Sequence, residues 1–317
     1  MTPSIARSLS HTIPQTPPRE VLMSIVLSLA VLLSLIVFPQ HTSGAAASAL
    51  RIWGLDVVPS LFPYMVFCRL LSARLRERDV PAAPVAALLG LLGGSPSGAS
   101  VIAAYGDRLS RRALLALCAL TGTISPMFTL GTILTWTQSA ALCRLLLLCH
   151  LLGAACAGGV VFWACRDESP AVSSSASSTP AHPMAQSIDA ILQVGGCISG
   201  YSVRASLLRL YPLLSDGTGA ILHSLLEITG GIHALCAAAI PGKLRAVCLS
   251  ALCGFSGFSI LSQNHAFLAP LGVRMTQLIA FALVRALFAG CFMALLYARF
   301  IPGGGHAADQ APGAPCG

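Results

Sequence analysis

The feature that most constrains this chain is a set of long stretches without a single Asp, Glu, Lys or Arg, at 21–38, 80–106, 113–143, 145–165 and 246–273. About 17–25 such residues in a helix cross the ~30 Å hydrocarbon core of a bilayer. Three further stretches, 45–73, 188–214 and 274–297, are similarly apolar but carry up to three charges. Inside a bilayer such charges face the bundle interior, snorkel to the interface or pair. Only 9% of the residues are charged and 55% are hydrophobic, whereas an ordinary soluble domain is about one quarter charged. The expected fold is all-α, a polytopic helical membrane protein with about eight hydrophobic segments and the lipid bilayer as its main partner.

The net charge of +8 does not indicate a nucleic-acid partner. Recognition of that kind uses a clustered basic face with aromatic platforms, and here Arg69, Arg74, Arg76 and Arg78 flank an apolar stretch and alternate with Glu77 and Asp79. Cationic loops stay in the cytoplasm. Residues 1–20, with Arg7 and Arg19, are expected as a cytoplasmic tail and 21–38 as a first, uncleaved span, although AAASA at 45–49 has the small residues of a signal cleavage site. The loops around Arg74–Arg78 and around Arg108, Arg111 and Arg112 should both be cytoplasmic, so 84–105 must enter and leave the bilayer on one side. Lys243, Arg245 and Arg274 leave the topology of the second half open.

The Ser/Pro/Thr-rich stretch 166–187 reads as a linker. It separates a first membrane half (45–165) from a second (188–297), and 298–317 reads as a flexible tail. The chain has twelve Cys and no CxxC, so the thiols read as small buried hydrophobes and no metal or cofactor is expected. The isolated His150, His223 and His233 read as packed side chains. GFSG at 254–257 has the form of an intramembrane serine protease motif, but no later helix supplies the His that would activate the Ser. An enzyme is not expected.

The sharpest local feature is GGSPSGAS at 93–100, in the centre of a charge-free stretch. Its arms, 84–92 and 99–105, each span about half a bilayer, and Pro96 breaks any helix through this point. Two half-helices meeting at such a turn form a re-entrant hairpin; a kinked single span is the alternative. TGTISP at 121–126 interrupts the next stretch, and GFSGFSILSQNH at 254–265 interrupts one in the second half. Irregular backbone at membrane depth is tolerated where it lines a cavity or is buried in protein, and interruptions at corresponding places of two weakly similar halves mark a transporter site at a repeat interface. The residues expected along a substrate path are Gly94, Ser95, Pro96, Ser97, Gly98, Thr121, Thr123, Ser125, Pro126, Ser256, Ser259, Gln263 and Asn264. Glu227 and Thr229 in LLEITGG at 225–231 join them, because an isolated carboxylate there is costly unless paired or functional. Glu227 either couples a cation, orients an Arg for an anion, or forms a buried salt bridge with Arg204, Arg209 or Arg285.

Five motifs in order, VPSLFPYMVF (58–67), GGSPSGAS (93–100), SPMFTLG (125–131), LLEITGG (225–231) and GFSGFSILSQ (254–263), resemble those of the YlbJ-type sporulation integral membrane proteins, which carry a nucleoside-recognition or gate domain. The resemblance covers about 50–297. It implies passage of a small solute across a membrane of the developing spore, a bacterial cytoplasmic or forespore membrane. Dipicolinate is the solute associated with the family, and related gate-domain proteins move nucleosides. Ser95 stands where that family has an aromatic residue and Ser100 where it has Lys, so the departures fall in the expected path and bear on the solute. A dianion would suit half-helix N-termini with an Arg close by. A non-transporting envelope protein is the competing expectation. A coupling ion and a homo-oligomer remain open.

Overall fold

The computed structural model describes residues 18–171, 183–208 and 216–301. The regular structure among the described residues is helical, apart from one isolated bridge between Ser110 and Pro170. The N-terminal residues before Pro18, half of the expected linker (172–182), Arg209 and the tail with His306 lie outside them.

Helix α1 (Pro18–Val37) ends where Pro39 opens α2 (Pro39–Ile52). A π-helical turn at Trp53–Val57 joins α2 to α3 (Val58–Glu77). Then follow α4 (Ala82–Gly93), α5 (Ser97–Ala104), α6 (Arg111–Thr121), a π-helical stretch Phe128–Ile133 leading into α7 (Leu134–Thr137), and α8 (Ala140–Ala164). The later part comprises α9 (Pro183–Leu208), α10 (Asp216–Leu226), α11 (Ile228–Ala237), α12 (Gly242–Phe255), α13 (Gly257–Leu268) and α14 (Met275–Phe300). Among the described residues, four helical stretches are long and apolar enough to cross a membrane: Pro39–Glu77, Ala140–Ala164, Gly242–Leu271 and Met275–Phe300.

The interruptions are of two kinds. At 94–96 the chain folds back, with α4 and α5 packed side by side. A Cβ on Gly98 would lie 3.1 Å from the Cα of Gly90 and 3.2 Å from the carbonyl oxygen of Thr121, so glycine is what lets the two arms and the end of α6 meet. Gly94, at φ +62°, turns the corner in a conformation that side chains resist. The second fold-back is at Glu227, where α10 and α11 pack together and Gly231 sits directly on Ser224. At 122–125 and at Ser256, by contrast, the flanking helices do not pack side by side and the chain runs on. The sequence reading paired 254–265 with 93–100; the fold-back of the second half lies instead at Glu227, because Gly231 supplies there the close approach that Gly98 supplies in the first.

The base of the first fold-back is tied at one end of the molecule. Arg76 pairs with Asp107 at 2.6 Å and also donates to the Ala104 carbonyl; Arg108 pairs with Asp79 at 3.0 Å. The entry and exit of this hairpin therefore lie together. Arg111 reaches the carbonyls of Leu271 (2.8 Å) and Gly272 (2.9 Å), which brings the end of α13 and Arg274 to the same cationic end. The first residues of the expected linker, 166–187, are held by backbone hydrogen bonds. Residues 166–171 are pinned, with Arg111 N donating to Ser169 O, Arg112 N to Asp167 O and Ala171 N to Leu109 O, while Arg112 pairs with Glu168 at 2.6 Å. Two hydrogen bonds from Ser169 hold the Asp167 carboxyl below the usual carboxylate range.

Gly98→Leu is expected to lower the stability of the purified protein by about 1–3 kcal/mol or more through overpacking, seen as a fall in its melting temperature. Gly159→Ala, where nothing lies within 4 Å of the added methyl, should be neutral or mildly stabilising.

Candidate functional site

Helix ends leave backbone groups without intrahelical partners, and the four interruptions concentrate such groups in the interior. They satisfy one another. Ser95 N donates to Thr123 O at 2.6 Å, joining the first fold-back to the break after α6. Asn264 Nδ2 donates to Ser95 Oγ at 2.9 Å, joining α13 to the same point. Ser256 Oγ lies 3.1 Å from both Gly122 O and Cys253 O, joining the two continuing breaks. Ser256 holds φ +71° to do so, a left-handed conformation costly for a residue with a Cβ. Gly257 lies against Ser224 O and Ile228 N, which brings the second fold-back to the break before α13.

Arg285, only 2% exposed in the middle of α14, closes the arrangement. Its Nη1 donates to Ala119 O at 3.0 Å and its Nε to Gly254 O at 3.1 Å. The guanidinium thus caps the carbonyl ends of α6 and α12 together, where the two helix dipoles place negative charge. The sequence offered Arg285 as a partner for Glu227. The structure gives it to the backbone.

Glu227 is 1% exposed. It caps α11, accepting from Thr229 N at 2.9 Å and Gly230 N at 2.7 Å, and forms no salt bridge among the described residues. Arg204 instead lies over the Tyr201 ring, 5.1 Å from its centroid.

A cavity of about 520 Å³, open mouth included, lies where the interruptions meet. Its polar lining consists of Ser60, Ser95, Ser125, Glu227, Thr229, Ser259 and Gln263, and Pro96 also faces it. Two walls contributed by other elements are mainly apolar: Val57 and Leu61, with Ser60 between them, from the π turn and α3, and Val194 and Ile198 from α9. Of the residues expected from the sequence, Ser95, Pro96, Ser125, Glu227, Thr229, Ser259 and Gln263 line this cavity. Gly94, Ser97, Gly98, Thr121, Thr123, Pro126, Ser256 and Asn264 do not. They form or brace the backbone behind it, as when Thr121 Oγ1 returns to Leu117 O. The expected Arg beside the helix ends is not among the lining residues. The α3 and α9 walls escaped sequence reasoning because Val, Leu and Ile there look like lipid-facing residues; the partial signal was Asp56 and Ser60 on an otherwise apolar stretch.

Among the described residues the protein is all-helical, with stretches long and apolar enough to cross a membrane and a cavity where its interruptions meet. The chain is similar to the sporulation integral membrane protein YlbJ of Bacillus subtilis (strain 168), with 25% identity over 319 aligned positions covering 82% of this chain and 78% of the relative. No family model matches the chain. No solved structure matches it either.

Arg285→Met keeps an apolar stem of similar length but orphans two buried carbonyls at about 1–3 kcal/mol each. A clear drop in melting temperature of the purified protein is expected, larger than that of Arg299→Met at the end of α14.

Proposed function

We propose that this chain is a membrane transporter that binds a small solute in the cavity between the four interruptions. The observation that carries the reading is their convergence. Four separate costs in helix continuity, far apart in sequence, are spent around one space lined by hydroxyls, an amide and a carboxylate.

The order of elements supports an internal repeat. A long helix (α2–α3), a fold-back (α4–α5), an interrupted helix (α6–α7) and a straight helix (α8) are followed by α9, a fold-back (α10–α11), an interrupted helix (α12–α13) and α14. The first fold-back opens at the cationic end. The second leads into α12, whose continuation α13 finishes at that end beside Arg111, so the second fold-back opens at the opposite end. Oppositely inserted repeats with broken helices at the centre are the architecture of many secondary transporters. Most of the polar lining sits on fold-backs and interrupted helices bonded to one another, and the side formed by the π turn, α3 and α9 is apolar except for Ser60. Displacement of the first body along the second would carry the solute between the two membrane faces.

For the solute, the similarity to a sporulation membrane protein supports dipicolinate, passed across a membrane during sporulation. Its carboxylates would meet the amide ends of α5 and α13, which favour anions; that of α11 is taken by Glu227. One observation favours a second reading. Glu227, Gln263, the hydroxyls and the Phe128 side chain, with no Arg or Lys in the lining, suit a neutral ring compound with hydrogen-bond donors, such as a nucleoside.

Purified protein in lipid vesicles should conduct radiolabelled dipicolinate, or else a nucleoside, at a rate well above that of empty vesicles. Ser60 lies at the mouth and its hydroxyl bonds only within its own helix, so Ser60→Trp should plug the cavity and cut flux more than tenfold with an unchanged melting temperature. Stable insertion without flux of either compound would favour a structural protein of the spore envelope.

A further inference from the structure

We propose that Glu227 is a proton carrier, taking up a proton together with the solute and releasing it with the solute on the other side; the inference rests on the transport reading above. The carboxylate lines the cavity at the tip of the second fold-back, in the interior of the molecule. A buried charge without a partner is expensive, and among the described residues no cation is bonded to it. The interior guanidinium that could have served, Arg285, is committed to Ala119 O and Gly254 O.

The cap on α11 is compatible with both states of the group. Each carboxylate oxygen accepts one backbone N–H, and a protonated carboxyl retains enough lone pairs to keep accepting while its O–H points into the cavity. Loading the proton therefore needs no rearrangement of the fold-back. It also removes a negative charge from a space meant to admit an anion. The step is a simple transfer: one proton from the aqueous face adds to a Glu227 oxygen, and the same O–H bond breaks on the opposite face.

His223 is the other titratable group at the tip. A Cβ placed on Gly230 would lie 3.1 Å from His223 Nε2 and 3.3 Å from Glu227 Oε2, so the two flank the same glycine. The remaining titratable or charged groups on the surrounding helices are directed elsewhere. His233 packs edge-on to Trp136, Arg204 covers Tyr201, and Arg245 donates to Cys236 O. None of these, nor Cys253 or His265, lines the cavity. No group of three or more His, Cys, Asp or Glu that could hold a metal ion occurs among the described residues.

The test uses full-length protein in vesicles with an imposed inward proton gradient and dipicolinate as probe, then a nucleoside. Wild type should accumulate the probe against its concentration gradient. Glu227→Gln, which imitates the protonated state, should exchange probe across the membrane but not accumulate it, and His223→Gln should still accumulate it. A gradient-insensitive wild type, accumulation by Glu227→Gln, loss of coupling only in His223→Gln, or accumulation driven by a sodium or calcium gradient alone would each overturn the proposal. Binding of the same probes to purified protein gives a readout independent of flux. Affinity linked to one proton changes by about tenfold per pH unit above the group's titration range, and this slope should vanish in Glu227→Gln. Binding with that slope but without flux would refute transport and leave the protonation of Glu227 standing; binding with no difference in slope between wild type and variant would refute the carrier.

Discussion

The fold depends on a single buried guanidinium. Two helices, α6 and α12, stop in the interior with their carbonyl ends turned toward each other, an arrangement that brings two negative dipole ends and several unpaired oxygens into one place. Arg285 answers both requirements at once, because its planar fork offers charged donors in divergent directions. A lysine could supply the charge but not the two-pronged geometry. With the guanidinium in place, the chain can leave α6 at Gly122 and α12 at Phe255 without stranding backbone in an apolar medium. Everything on the cavity side of those points follows from that permission.

The hydrogen bonds among the interruptions show how the permission is used. Ser95 N to Thr123 O, Asn264 to Ser95 and Ser256 to Gly122 link the first fold-back, both continuing breaks and α13 into one unit. The second fold-back joins through the contact of Gly257 with Ser224 and Ile228. Contacts from this unit to α3 and α9 are of another kind, made by side chains at some distance from the cavity: Tyr64 to Leu89 O, Tyr105 to Ser72 O, and Tyr201 to Ser262. Side-chain bonds of that sort can be exchanged one for another, whereas the backbone knot cannot be opened without exposing several polar groups together.

The sequence carried the helical membrane character and three of the four places where helices break, because both are written in residue types with strong physical consequences; the break at Glu227 was not among them. Charge-free length means bilayer, and Gly/Ser/Pro in its middle means interruption. It did not carry the sense of each break. Whether a chain folds back or runs on depends on which small residues face each other across the turn, Gly90 with Gly98 and Ser224 with Gly231, and no local propensity encodes a contact seven or eight residues away. The mistaken pairing of 254–265 with 93–100 came from that gap. Glu227 stood out as an isolated carboxylate, but its partners were invisible: a side chain that caps its own helix leaves no counter-charge in the sequence to find. Arg285, one of three candidate partners offered for Glu227, hid its role for the converse reason, since its partners are carbonyls, which every residue has.

The division of labour around the cavity bears on what a solute experiences there. Polar groups that must be satisfied when the cavity is empty already have protein partners on their outer side: Glu227 on two amides, Ser125 on Phe128 N, and Gln263 on Ser259. A solute therefore adds hydrogen bonds rather than rescuing orphaned ones, which keeps the empty state from being prohibitively costly. The facing walls, Val57, Leu61, Val194 and Ile198, carry Ser60 as their one polar side chain in the lining, and its hydroxyl is already bonded to Asp56 O and Val57 O. A largely self-satisfied polar lining set against a mainly apolar one would, under the proposed transport, lose few hydrogen bonds when the two move past each other.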